Sequence, residues 1–386
     1  MSADNSTKLL EPYLKIMVEK QASDLYFVTA APPNMKVQGK TTAIAKNAFH
    51  TGQVQSLAYS LLNEEQIRDF EINREMNLGF TLAGVGRFRV NIFIQRYEVS
   101  MVIRYIKWDI PSIEDLGLPQ ILKKIVMNQT GLVLVVGSTG SGKSTSLAAM
   151  INYRNNQEGG HILTIEDPIE FVFKHDKSII SQREVGIDTL SYENALREAL
   201  REAPEVIMIG EARDTETMKA AINFADTGHL CMTTLHAVNS NQAMDRMMNM
   251  FPTDMHRQLL MDLSLNLKAV ISQRLVPGMK GKLACAVEVM VNTPYIKELL
   301  REGNFNQINE IMEKGDTAGM QTFDQSLYDL YKADRISIKN ALTYADSSTN
   351  LEWKINFGGD HGKQKTGQNL DQQDGLEDLT LPSEEA

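Results

Sequence analysis

The residues best placed to do chemistry form one run, Gly137-Ser138-Thr139-Gly140-Ser141-Gly142-Lys143-Ser144. It follows the apolar stretch Leu132–Val136 and opens a helical pattern over Ser144–Tyr153, so G-x-x-x-x-G-K-S stands between strand and helix as a phosphate-binding loop requires. Glycines let the backbone wrap until its N–H groups converge on phosphate oxygens, and the helix start adds partial positive charge. Lys143 supplies a point charge to the β- and γ-phosphates, and the Ser144 hydroxyl can ligate Mg2+. Thr145 completes the residues expected to bind nucleotide.

A triphosphate site also needs carboxylates, and two apolar runs end in them. Val206–Ile209 leads into Gly210-Glu211, where an acid reaches Mg2+ directly or through water. His161–Ile165 leads into Glu166-Asp167-Pro168-Ile169-Glu170. Carboxylates this close repel one another unless cations or a catalytic role compensate. Active sites of open α/β sheets lie at the carboxyl ends of the strands, which is where both groups fall. His229 and His236 flank the run Leu230–Thr234, with Cys231 between them. No fourth ligand lies at useful spacing, so a zinc site is set aside. On spacing alone the two histidines read as packed or capping residues.

The elements that must position these groups change character along the chain. Residues 1–110 read as a small α/β unit. Helices are expected over Thr7–Lys20, Val54–Asn63 and Glu64–Glu75, the last capped by Asn63. Strands are expected over Asp24–Thr29, Asn77–Thr81, Arg87–Gln95 and Val99–Ile106, with Phe88, Val90, Ile92 and Ile94 on one face and Arg87, Arg89 and Asn91 on the other. Residues 111–120, with Pro111, Gly117 and Pro119, read as a linker. Across 121–287 the apolar runs are nearly continuous, so the strands are covered on both faces and form a mostly parallel sheet flanked by helices. Helices dominate 288–357: Tyr295–Arg301, Phe305–Glu313, Phe323–Ala333 and Ser337–Tyr344. The methionines around Met244, Met247, Met248, Met250, Met255 and Met261 read as core or interface packing. Residues 358–386 show no period and read as a disordered acidic tail, in which Leu376–Leu381 is a candidate docking peptide.

Composition bounds the function. The chain has 386 residues, with 42% hydrophobic and 23% charged, enough for two or three cores. The net charge of −10 argues against a nucleic-acid-binding face. Two cysteines, Cys231 and Cys285, make no disulfide framework and fit a reducing cytosol. No apolar run reaches a membrane span and no secretory signal is visible, so a membrane role is expected to pass through protein partners.

In one order along the chain stand the phosphate loop, Thr164–Glu170 (TIEDPIE), Ile207–Asp214 (IMIGEARD) and Thr227–Ala237 (TGHLCMTTLHA). Together they resemble the hexameric ATPases of secretion systems and type IV pili, over about residues 8 to 357. Leu196–Asp214 and Met320–Tyr328 resemble the pilus-retraction branch. The resemblance implies a cytoplasmic homohexameric ring in which each subunit hinges a PAS-like α+β domain to a RecA-like P-loop ATPase domain, with ATP and Mg2+ between them. It makes Glu170 the general base that activates water, Glu211 the acid near Mg2+, and His229 and His236 the histidine box. It implies that Arg89 and Arg104 reach the nucleotide from the N-terminal domain, with Arg87 and Arg96 as further candidates. The implied function is to power or assist pilus retraction and twitching motility at an inner-membrane platform protein. Where retraction ATPases carry AIRNLIRE, this chain has Tyr295–Glu302 (YIKELLRE), which points to assistance of a second retraction ATPase ring. The alternative is a nucleotide-binding docking subunit whose own hydrolysis is secondary. The assembly and secretion branches commonly carry a longer N-terminal extension and a four-cysteine zinc motif, and this chain has neither.

Overall fold

The computed structural model describes residues 8–37, 39–106, 108–314 and 319–357. The tail 358–386 and its docking peptide lie outside the described residues. The apolar alternation of Phe88, Val90 and Ile92 buries all three fully, while Arg87, Arg89 and Asn91 stand on the other face. Their strand, β5 (Gly86–Gln95), belongs to an antiparallel sheet with β1 (Asp24–Phe27), β2 (Asn34–Val37), β3 (Lys40–Ala43), β4 (Glu75–Leu82) and β6 (Glu98–Ile106) in the order β3-β2-β1-β6-β5-β4. The helices Glu11–Glu19, Gln53–Tyr59 and Glu64–Asn73 bury Leu14, Met17, Val54, Ala58 and Phe70 against Phe88, Ile92, Met101 and Ile103. That is an α+β layer of the PAS-like kind. Asn63 caps the third helix: its side chain accepts from the Gln66 N–H, and the Gln66 side chain accepts from the Asn63 N–H. The strands β2 and β3 escape a hydrophobic pattern, because β3 is exposed throughout.

The second sheet has the order β13-β12-β7-β11-β10-β8-β9. Its strands are β7 (Gly131–Gly137), β8 (Gly160–Glu166), β9 (Ser178–Glu184), β10 (Val206–Ile209), β11 (Leu230–Leu235), β12 (Leu267–Pro277) and β13 (Leu283–Val291). All neighbours run parallel except β12 and β13. One face packs on Leu122, Ile125, Leu147, Met150 and Ile151; the other packs on Met218, Ala221, Met244, Met247, Leu259 and Leu263. Met244 and Met247 are therefore core residues, whereas Met261 is exposed. Phe251 ends the helix Ser240–Met250.

Segment 111–120 is not a free tether. Ile113 and Leu118 are buried in the layer beneath the sheet, and Ser112 and Asp115 hydrogen-bond reciprocally. The strand β13 crosses residue 287, because its register with β12 continues to Val291 opposite Ala269. The C-terminal helices Phe323–Lys332, Ile338–Tyr344 and Ser348–Phe357 sit on the far end of β12 and β13. Arg274 fastens them by donating to the Tyr344 carbonyl at 2.9 Å and pairing with Asp346 at 2.6 Å.

Candidate active site

The strand β7 is buried along its length and ends at Gly137. A Cβ there would meet Ser141 Oγ at 2.3 Å and the Gln273 carbonyl at 2.7 Å, so only glycine lets the loop fold this closely onto β12. Gly142 stands at φ +92° before the helix Lys143–Gln157, with open space where a side chain would be. Lys143 curls over the loop. Its amine donates to the Gly137 and Ser138 carbonyls at 2.9 and 3.0 Å. Partial desolvation lowers its pKa, and the charge of Glu211 opposes that shift. Ser144 is exposed in the first helical turn, Thr145 is half-buried, and Ser141 is buried.

Parallel pairing brings the other strand ends to the same edge. Ile209 on β10 stands level with Ile165 on β8 and Thr233 on β11, and Leu235 on β11 stands level with Val136. Glu166, Glu211 and His236 therefore stand at or just past strand ends along the same edge as Gly137, with His236 following the neighbouring strand. His236 Nε2 is 3.1 Å from Glu211 Oε1, and Arg213 Nε donates to Glu211 Oε2 at 2.8 Å. Arg213 also lies 3.6 Å from Asp167. The result is a row of polar contacts, His236–Glu211–Arg213–Asp167, along the sheet edge. Arg213 was not singled out by spacing, although it lies two residues beyond Glu211, the interval that returns a side chain to the same side of an extended segment.

The acidic box divides its labour. Glu166 is buried and turned inward, accepting from Thr164 Oγ1 at 2.7 Å and Gln182 Nε2 at 3.3 Å. It also takes the backbone N–H of Glu170, and burial pushes its pKa up to about 7. Glu170 itself is exposed. Between them, the N–H of buried Ile169 donates to Glu184 Oε2 at 3.4 Å. Thr164, Gln182 and Glu184 thus hold the box in place, and of these Gln182 and Glu184 were not legible as functional from the sequence.

Arg89 and Arg104 stand opposite each other on β5 and β6, on the face away from the helices. The Arg104 guanidinium pairs with Asp24 at 2.8 Å; this bond foremost, with the charges of Asp24 and Glu170, raises its pKa. Arg89 and Arg87 bring positive charge toward Glu184, opposing the desolvation that raises the Glu184 pKa. Arg96 sits at the hairpin turn, φ +49°. That turn is seven residues along the strand from Arg89, about 24 Å away, so Arg96 is not brought to the site.

His229 is also not brought to the site within its own chain. Its carbonyl accepts from Gly131 N–H at the start of β7, six residues from Gly137. At the strand rise this is about 20 Å from the phosphate loop. Its ring instead bonds the Phe224 carbonyl and Thr227. Because His229 and His236 occupy opposite ends of β11 and Cys231 is fully buried, the three cannot share a metal.

Among the described residues no cluster of three or more His, Cys, Asp or Glu could hold a metal. The Ser144 hydroxyl is exposed beside the loop and the Glu211 carboxylate lies close enough to act on the Lys143 charge, and both are hard oxygen donors. That set fits Mg2+, which takes one or two protein oxygens and completes its shell with phosphate and water.

The family described as Type II/IV secretion system protein matches residues 2–353. The Type IV pilus ATPase PilU of Pseudomonas aeruginosa is 50% identical over 349 residues, 90% of this chain and 91% of PilU. The Type IV pilus retraction ATPase PilT of the same organism is 42% identical, over 85% of this chain and 95% of PilT. A crystal structure of the pilus retraction motor PilT with bound ADP superposes with a TM-score of 0.82 at 40% identity, covering 88% of this chain and 98% of that one. On these matches, and on a phosphate loop set at the edge of a parallel sheet behind an antiparallel N-terminal sheet, the chain belongs to the Type II/IV secretion system protein family.

Proposed function

We propose that this chain is an ATP-hydrolysing pilus motor subunit, PilU-like in role, that works as a homohexamer with a PilT-like ring to retract type IV pili. The observation that carries the reading is the gathering of Lys143, Glu211 and His236 at one sheet edge, faced from the N-terminal sheet by an arginine whose charge reaches Glu170. Among the described residues no helix is long and apolar enough to cross a membrane, so attachment to the inner-membrane platform is assigned to protein contacts.

The residues divide the reaction as follows. The N–H groups of 138–145 and the Lys143 ammonium bind the triphosphate. Ser144 and Glu211 hold Mg2+, which when bound neutralises charge on the phosphoryl oxygens. Glu170 takes a proton from the attacking water as its oxygen bonds to the γ-phosphorus and the bond to ADP breaks. His236 donates to the terminal phosphoryl group while Glu211 fixes its ring. Arg104, and Arg89 beside it, meet developing charge from outside the sheet. Since these arginines belong to a different layer from the phosphate loop, hydrolysis is coupled to movement between the layers.

ATP turnover of the purified full chain tests this. Lys143→Ala is expected to abolish nucleotide binding and turnover. Glu170→Gln is expected to keep ATP bound and lower kcat by about 10²–10³. Unimpaired turnover in Glu170→Gln removes the base assignment. In cells, a retraction defect in Lys143→Ala as deep as that of a deletion supports a motor; a mild defect supports a docking subunit.

A further inference from the structure

Glu288 is a carboxyl that the assigned chemistry leaves unused. It lies on β13, only 1% exposed, two strands away from the phosphate loop. A buried carboxyl is costly to desolvate and persists only when donors compensate. Here both donors meet one oxygen: Glu288 Oε1 accepts from the Ser240 backbone N–H at 2.7 Å and from the Ser272 hydroxyl at 2.8 Å. Burial pushes its pKa up, against the pull of these bonds.

The two donors come from two sides of the active site. Ser240 is the first residue of the helix Ser240–Met250 and follows His236 by four residues. Its N–H is one that a helix cannot satisfy internally. The intervening loop is held by Asn239, which accepts from the Gln242 N–H, and by Gln242, whose side chain accepts from the Val238 N–H. Ser272 stands on β12 level with Val136, and its neighbour Gln273 stands level with Gly137. The Gln273 carbonyl is the backbone group that closes on Gly137, and its amide donates to Ser146 Oγ at 2.6 Å. One carboxyl oxygen therefore joins the loop that carries His236 to the strand that backs the phosphate loop.

We propose that Glu288 is a positioning residue for the hydrolytic centre: by clamping the start of Ser240–Met250 to Ser272, it fixes the distance between His236 and the phosphate loop. It acts through Ser240 and touches no substrate. The inference rests on the assignment of His236 to the reacting edge. A displacement of about 1 Å in a group that meets the transition state costs up to about 10²-fold in rate, so a clamp of this kind acts on kcat.

The test is ATP turnover and melting temperature of the full chain as Glu288→Leu, Glu288→Gln, His236→Ala and the Glu288→Leu/His236→Ala double variant. Glu288→Leu is expected to lower kcat by about 10–100-fold with little change in KM, and to add nothing in the His236→Ala background. Glu288→Gln keeps an acceptor oxygen for both donors and is expected to hold kcat within about threefold of the parent. Should Glu288→Leu fail to fold, Ser272→Ala removes one side of the clamp, and its smaller kcat loss is expected to vanish in the His236→Ala background. A Glu288 or Ser272 variant that lowers kcat by the same factor in both backgrounds overturns the clamp alone. A silent His236→Ala overturns the assignment of His236 and the clamp with it.

Discussion

The two edges of the seven-stranded sheet hold similar residue types and use them in opposite ways. At the amino edge, His161 Nδ1 bonds the Glu202 carbonyl and Nε2 lies 2.8 Å from Ser181 Oγ, while His229 bonds the Phe224 carbonyl. These imidazoles are satisfied by backbone and hydroxyl groups. At the carboxyl edge, Arg213 meets Glu211 and Asp167 as opposite charges, the His236 ring lies against Glu211, and Lys143 is close by. Groups held by mutual charge can be re-paired when a triphosphate arrives; groups tied into backbone hydrogen bonds cannot without breaking the fold. A histidine seven residues from another in one sequence box thus has a different job, because a strand has two ends.

The contrast can be broken at several points. The largest effect is expected at the arginine that faces the carboxyl edge: Arg104→Ala should lower kcat by about 10³, while Arg96→Ala at the distant hairpin turn leaves it unchanged. Equal rates in the two variants, measured as steady-state ATP turnover, would remove the N-terminal sheet from the chemistry. Next comes the histidine pair. His236→Ala should lower kcat by about 10²-fold, and His229→Ala should act on melting temperature while leaving kcat within about twofold. A matching kcat loss in His229→Ala would mean that the amino edge reacts too, through a neighbouring subunit. A third effect concerns stability, with no change in rate required. Glu166 holds its proton up to about pH 7 in the folded chain, against 4.5 ordinarily. The folded state therefore binds the extra proton, and this group favours folding increasingly as pH falls from about 7 toward 4.5, by on the order of 3 kcal/mol in all. Melting curves from pH 5 to 8 should show the fall in melting temperature on the alkaline side, and Glu166→Gln should flatten it.

Much of the site was legible in advance because its signals are local. The strands β7, β8, β10 and β11 follow from apolar runs too continuous for a half-exposed surface, and the phosphate loop from glycines at fixed spacing. Three strands of the same sheet carry no such signal. In β9, Ile179 is exposed, so no clean pattern survives. The strand β12 continues directly from the helix His256–Asn266, and only its pairing with β7 and β13 makes it extended. The strand β13 crosses the point where helices were expected to take over. The missing strands bring the missing residues: Gln182 and Glu184 on β9, Ser272 and Gln273 on β12, and Glu288 on β13 were invisible as functional groups for that reason.

The amino-acid sequence alone determined the chemistry available: a loop that can wrap phosphate, acids at strand ends, and arginines on the polar face of a half-buried strand. Those properties depend on sterics and hydrogen bonds within a few residues. Tertiary structure alone decided which of these groups meet. It put His236 on Glu211 and His229 about 20 Å off, turned Glu166 inward and left Glu170 outward, and set Arg104 toward the acidic box. Strand order and register make those choices, and they are set by burying both faces of a sheet at once, a condition no short stretch of chain can express.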